Sequence, residues 1–117
     1  MGCLIVDDNR QFLDTARALL EGQGMDIVGV ASTSAEALEL AADLKPDLVL
    51  VDVDLGEENG FDLARRLVDG SEPMAVILIS AYPEKDLREL IEVSPAAGFL
   101  SKAVLSRQAI DDLLGVG

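Results

Sequence analysis

With 117 residues, 50% of them hydrophobic and 26% charged, the chain has the size and composition of one globular domain, long enough to bury roughly two-thirds of its unfolded surface without a disulfide or structural metal. Nine basic against 22 acidic residues leave a net charge of −13; such a surface repels phosphate backbones and anionic headgroups, which argues against direct binding of nucleic acid or membrane. Cys3 has no partner for an internal disulfide, Asp7 interrupts the N-terminal apolar run before it could serve as a signal peptide, Val6 stands where a myristoylation pattern needs Ser or Thr, and no apolar stretch could span a bilayer, so a cytoplasmic location is the default expectation.

In chain order, CLIV at residues 3–6 is the first predicted strand. A helix from about Arg10 to Glu21 follows, because Phe12, Leu13, Ala16, Leu19 and Leu20 form one apolar stripe of helical period, and Gly22 and Gly24 stop it. DIVGVA at 26–31 is the second strand. Ser34 to Leu44 is the second helix, opened by Thr33 or Ser34 as N-cap and barred from continuing by Pro46. DLVLVD (47–52), AVILIS (75–80) and AGFL (97–100) are three further strands, alternating with helices over Phe61 to Val68, Glu84 to Glu92 and Leu105 to Leu114. The strands are short and mostly apolar on both faces, as buried parallel strands are, and the regular alternation with helices predicts an α/β fold: a doubly wound, five-stranded parallel sheet within a single domain over 1–117.

Ligands of such sheets bind beyond the carboxyl ends of the strands, where strand order reverses. Strand one ends in Asp7 and Asp8, strand three in Asp52, strand four in Ser80, and the fifth runs through Phe99 to Lys102. Singly each has a bland explanation: Asp8 or Asn9 caps the first helix, Ser80 marks where a strand meets water, Lys102 is a solvated surface residue. Together they are hard to assign to capping. Carboxylates about 4 Å apart repel by roughly 4 kcal/mol at an effective dielectric of 20, so Asp7, Asp8 and Asp52 call for a cation. A hard divalent ion held by carboxylates, waters and a phosphate oxygen describes Mg²⁺. Beside such a metal, Asp52 is suited to attack phosphorus and form an aspartyl phosphate, with Lys102 and Ser80 balancing the transferred oxygens.

VDD closing strand one, PDLVLVD with Gly60 eight residues after Asp52, ILIS closing strand four, and GFLSK with an aromatic three residues before the lysine together resemble a response-regulator receiver domain, the phosphoacceptor half of two-component signalling. The resemblance covers essentially the whole chain. It implies a flavodoxin-like fold with strand order 2-1-3-4-5. By position it implies Asp52 as phosphoacceptor, Asp7, Asp8 and Asp52 with the backbone carbonyl of Asp54 as Mg²⁺ ligands, Ser80 as switch hydroxyl, Phe99 as switch aromatic and Lys102 as phosphate partner. The chain has no histidine, so the usual phosphohistidine donor must reside on another protein, a sensor histidine kinase or a phosphotransfer protein. The output would be a downstream protein target or a C-terminal output domain, with a phosphorylation-dependent homodimer as a further possibility. No enzymatic turnover is expected beyond self-phosphorylation from small donors and self-dephosphorylation. The expected switch moves Ser80 toward Asp52 and rotates Phe99 into the space opened, altering the face of helix four, strand five and helix five. Asp54 and Tyr82, two residues beyond Asp52 and Ser80, would border the path of the attacking water and tune the lifetime of the phosphate.

Two positions depart from the family pattern. Ala103 follows Lys102 where proline, commonly with a cis bond, is usual; a cis bond before alanine costs roughly 3 to 4 kcal/mol, so either strain is stored there or the loop is trans. Gly56 stands where proline is common, which predicts a more mobile loop from Leu55 to Gly60. Two other readings share some of these features. VDVDL is similar to the first motif of haloacid-dehalogenase-type phosphatases, with Asp52 as nucleophile and Asp54 as acid, but there the acid pair follows the nucleophile and a cap insertion selects substrate. A flavin-binding, flavodoxin-like module would share the sheet, but its first loop should offer neutral hydroxyls and backbone donors to a phosphate where this chain has DDNR.

Overall fold

The computed structural model describes residues 2–70 and 72–115. Five strands, β1 (Gly2–Val6), β2 (Asp26–Ala31), β3 (Leu48–Asp52), β4 (Ala75–Ser80) and β5 (Gly98–Ser101), alternate with helices α1 (Arg10–Gly22), α2 (Ser34–Leu44), α3 (Gly60–Val68), α4 (Glu84–Val93) and α5 (Arg107–Leu114). The strands form one parallel sheet in the order β2-β1-β3-β4-β5, the flavodoxin-like, doubly wound arrangement that the sequence implies. Every residue of β3 is buried, as expected of a central parallel strand covered on both faces.

Alternating side chains sort into two cores. Leu4, Val6, Val49, Val51, Leu78 and Phe99 face α2, α3 and α4, whereas Cys3, Ile5, Leu50, Ile77 and Ile79 meet Leu13, Ala16 and Leu20 of α1 and Leu105 and Ile110 at α5. Strand order reverses between β1 and β3, so the crevice beyond their carboxyl ends is the switch point where such folds bind ligands.

The predicted boundaries shift where local chemistry was misread. α1 runs through Gly22 to a C-cap at Gln23, and it is Gly24, at φ +90°, that turns the chain out. Leu19, at the margin of the predicted stripe, is 41% exposed. Thr33 is the cap of α2, accepting from the Glu36 amide at 3.1 Å. α5 begins later than expected: a 3₁₀ turn over Lys102–Val104 precedes it, and Ser106 caps the helix by accepting from the Ala109 amide at 3.0 Å.

The loop after β3 holds a structure the sequence reading missed. Asp54–Leu55 pair antiparallel with Glu58–Asn59, joined by Gly56 and Glu57. Of these two, Gly56 alone has positive φ, +76°, the pattern of a type II′ hairpin turn. Proline, fixed near φ −65°, could not take this place. Gly56 therefore marks a glycine turn that proline could not form.

Candidate functional site

β1 delivers the first acid. The Asp7 amide donates to the Ala31 carbonyl at 3.0 Å, carrying the ladder one residue past the strand, and the side chain is fully buried. Its Oδ1 accepts from the Asn9 amide at 2.9 Å, and Asn9 Oδ1 accepts from the Phe12 amide at 3.1 Å, capping α1. The cap is thus Asn9, and Asp8 is left exposed at the rim with its carboxylate unspent. Asp52 closes β3 and is 5% exposed. Its Oδ1 accepts from the Asp54 amide at 3.2 Å and its Oδ2 from Lys102 Nζ at 3.2 Å.

Lys102 opens the 3₁₀ turn after β5, where Ser101 Oγ accepts from the Ala103 amide at 3.3 Å. No peptide bond among the described residues is cis, so the Lys102–Ala103 alternative resolves to a trans bond in a hydroxyl-capped turn. The ammonium lies 2.5 Å from Asp7 Oδ2, 3.2 Å from Asp52 Oδ2 and 4.3 Å from the centroid of the Phe12 ring.

Burial pushes the Asp52 carboxyl up to about 6, with the charge of Asp7 adding to the rise; the Asp54 amide and Lys102 pull it back only in part. Burial by itself would lower the Lys102 pKa, but the Asp7 and Asp52 carboxylates outweigh it and hold the ammonium above its ordinary value. Cys3, pushed up to about 12 by burial, offers no thiolate.

One oxygen each from Asp7, Asp8 and Asp52 lies within 4.8 Å of the other two, a grouping that could hold a metal ion. Asp7 Oδ2 is buried with no hydrogen bond of regular geometry, only the ion pair with Lys102, so a lone pair faces the cluster. Hard, closely spaced carboxylate oxygens of this kind fit Mg²⁺. The Asp54 carboxylate lies outside this grouping; it is exposed and accepts from the Gly56 amide at 3.1 Å.

Gly60 shapes the floor. A Cβ there would stand 1.9 Å from the Asp52 carbonyl oxygen and 2.7 Å from Val53 Cα, and the Gly60 amide donates to the Val53 carbonyl at 3.0 Å. α3 can begin against the end of β3 only because this side chain is missing. Glu58 ties the same loop sideways: its Oε1 accepts from the Ser34 amide, at the start of α2, at 2.9 Å.

Ser80 ends β4, is 1% exposed and accepts at Oγ from the Tyr82 amide at 2.9 Å. Tyr82 is 56% exposed and borders a groove of about 310 Å³ with Asp54, Phe61, Leu87 and Leu90. Phe99 is buried in the α2–α3–α4 core. The sequence reading thus named the acids, the lysine and the hydroxyl. It placed Phe12 only in an apolar stripe and passed over Glu58; nothing local marks either, because each meets its partner far along the chain.

A doubly wound sheet with an acidic cluster and one lysine at its switch point defines the class: an α/β domain whose strand ends could hold a cation. The response regulator receiver domain family model matches residues 3–114, and the chain belongs to that family, the receiver domains of two-component response regulators. It is similar to the polar-differentiation response regulator DivK of Brucella ovis, 32% identical over 103 residues that cover 86% of this chain and 83% of that protein. It is also similar to the sensory transduction protein LytT of Bacillus subtilis, 37% identical over 86 residues, 73% of this chain but 36% of LytT. The chain spans 25% of the length of another relative, a Halobacterium salinarum protein-glutamate methylesterase/protein-glutamine glutaminase. Among solved structures, the signal receiver domain of the putative response regulator NarL from Mycobacterium tuberculosis superposes with a TM-score of 0.84 at 28% identity, covering 97% of this chain and 96% of that one. Among the described residues no helix is long and apolar enough to cross a membrane.

Proposed function

We infer that residues 1–117 act as one phosphoacceptor switch, in which Asp52 receives a phosphoryl group from a phosphohistidine on a sensor kinase or phosphotransfer protein. The observation that carries this reading is the placement of a buried carboxylate, Asp52, between the Asp7/Asp8 pair and the Lys102 ammonium. A carboxylate oxygen of Asp52 forms the new P–O bond while the P–N bond to the donor imidazole breaks; the electron pair leaves with the imidazole, which keeps a proton. Lys102, held beside Asp52 by its charge, balances the transferred oxygens. Asp7, Asp8 and Asp52, with the Asp54 carbonyl, would hold Mg²⁺, which when bound supplies positive charge to the transferring oxygens.

Ser80 and Phe99 then form the switch. Ser80 Oγ exchanges its contact with the Tyr82 amide for a phosphoryl oxygen, and Phe99 moves into the space released, changing the face of α4, β5 and α5. That face would engage a downstream target, an output domain or a second copy of the chain. A cytoplasmic site of action belongs to the same reading. Turnover is confined to self-phosphorylation and self-dephosphorylation. The phosphatase alternative draws no support from the site, where the Asp54 carboxylate is engaged by the Gly56 amide.

Intact-mass measurement after treatment with acetyl phosphate and Mg²⁺ tests the assignment: one phosphoryl adduct is expected, absent in Asp52→Ala. No adduct with any donor, or an adduct surviving in Asp52→Ala, overturns it; steady release of phosphate from p-nitrophenyl phosphate would favour the phosphatase. Hydrogen exchange over residues 82–107 should change on adding beryllium fluoride, and an unchanged pattern would remove the switch.

A further inference from the structure

Lys102 must keep its ammonium at the phosphoacceptor although the residue after it is alanine in a trans bond, where the family pattern has a proline. Two carboxylates attract the ammonium, Asp7 at 2.5 Å and Asp52 at 3.2 Å, yet attraction by itself leaves a four-carbon stem free to approach from any side. A third contact narrows the choice. The Phe12 ring lies under the ammonium at 4.3 Å from its centroid, within the distance at which the negative face of an aromatic ring holds a cation.

The ring is itself fixed. Phe12 is half-buried and packs against the core that includes Leu13, Leu20 and Ile110, and its amide is tied to Asn9 Oδ1, whose own amide is tied to Asp7 Oδ1. One short stretch, Asp7 to Phe12, therefore presents both an anion and an aromatic face to the same ammonium. The ring also covers a side of the ammonium that water would otherwise solvate.

We propose that Phe12 is a positioning residue for phosphoryl transfer, its ring face holding the Lys102 ammonium at Asp52 in place of the backbone constraint that a following proline would give. The inference rests on the phosphoacceptor reading above. An aliphatic residue of similar size would fill the same core space without holding the cation, which separates positioning from packing.

The experiment replaces Phe12 with 4-fluoro-, 3,5-difluoro- and 3,4,5-trifluorophenylalanine, which keep ring size while progressively weakening the attraction for a cation, alongside Phe12→Leu and Phe12→Tyr. The phosphorylation rate with acetyl phosphate and Mg²⁺ should fall stepwise along the fluorinated series, by about threefold to tenfold at its end and in Phe12→Leu, and be retained in Phe12→Tyr, with thermal stability nearly constant across the fluorinated set. NMR of the unphosphorylated protein gives a readout independent of the reaction: the Lys102 ε-methylene protons should be shifted upfield by the ring and return to ordinary values in Phe12→Leu. Absence of that shift in the wild type overturns the inference whether or not Asp52 is phosphorylated. A ring shift with a rate flat across the fluorinated series overturns it also, and reduces Phe12 to a core residue. A wild type that shows the ring shift but takes no phosphoryl group from any donor brings down the phosphoacceptor reading, and the transfer role of Phe12 with it, while leaving the contact standing.

Discussion

Helices α3 and α4 lie on the same face of the sheet and have nearly equal length, nine and ten residues, yet they are held very differently. α3 buries Gly60, Leu63, Ala64 and Leu67, and its cap Asn59 accepts from the Phe61 amide at 2.8 Å. α4 buries no residue, begins at Pro83 without a side-chain cap, and rests on the core only through the partly buried Leu87 and Ile91. Leu90 and Val93 face outward at 49% and 69% exposure. β3 is thus flanked by a fixed helix at its own loop and a lightly held one beyond Ser80. The proposed switch would need this asymmetry: its chemistry would require atoms held in place, and its readout an element with little to lose by moving.

The strongest test strikes the fixed side. Gly60→Ala should destabilise the domain by about 3 kcal/mol or more, because the new methyl meets backbone rather than a yielding side chain, and it should abolish labelling of Asp52; chemical denaturation and intact mass read both. Leu90→Ser on α4 should change stability by less than about 0.5 kcal/mol. Equal losses in the two variants would erase the contrast.

The second test uses pH. The Asp52 carboxyl titrates near 6 in the folded chain against an ordinary 3.8, so folding favours its protonated form. The stability this contributes is complete below about pH 4 and is lost as pH rises through about 6. Without Mg²⁺, Asp52→Asn should therefore match the wild type near pH 4 and exceed it at pH 7 to 8, by up to about 3 kcal/mol. Thermal melts across pH 4 to 8 check the sign, and a variant less stable than wild type at pH 7 would contradict it.

Two smaller effects sharpen the picture. Amides of α4 should exchange at least about tenfold faster than those of α3 in the unmodified protein, as hydrogen exchange by mass spectrometry would report. At the groove between the two helices, Tyr82→Ala should hasten loss of the phosphoryl group several-fold and Asp54→Asn should alter it less, since excluding water removes the nucleophile whatever the charge of Asp54. Decay of the phosphorylated mass peak reads each. An unchanged decay in Tyr82→Ala beside a large change in Asp54→Asn would show that charge governs the water.

The sequence made the fold legible because β1, β3 and β4 are uninterrupted apolar runs whose burial on both faces leaves one arrangement, a parallel sheet between helix layers. Asp7, Asp8, Asp52 and Ser80 were legible because each directly follows or ends such a run. What escaped depended on partners distant in the chain. The Glu58 carboxylate gains meaning only from the Ser34 amide, 24 residues away, and Phe12 from an ammonium 90 positions later. The hairpin escaped because two residue pairs are too short for an alternating pattern to register. Gly56 drew notice as a departure from proline, but its sense lay in the sign of φ.

The junction of α1 with α5 bears on how the chain is made. Gln23 meets Arg107 twice, accepting its backbone amide at Oε1 at 2.7 Å and its guanidinium at the carbonyl at 3.0 Å, across 84 residues of chain. Leu105 and Ile110, beside this junction, cover Ile77 and Ile79 of β4. During synthesis the sheet can assemble and α1 can dock, yet that flank stays wet until residues 105–110 emerge from the ribosome. A nascent chain that has reached β4 but not residues 105–110 therefore carries an exposed apolar strip, which those residues seal.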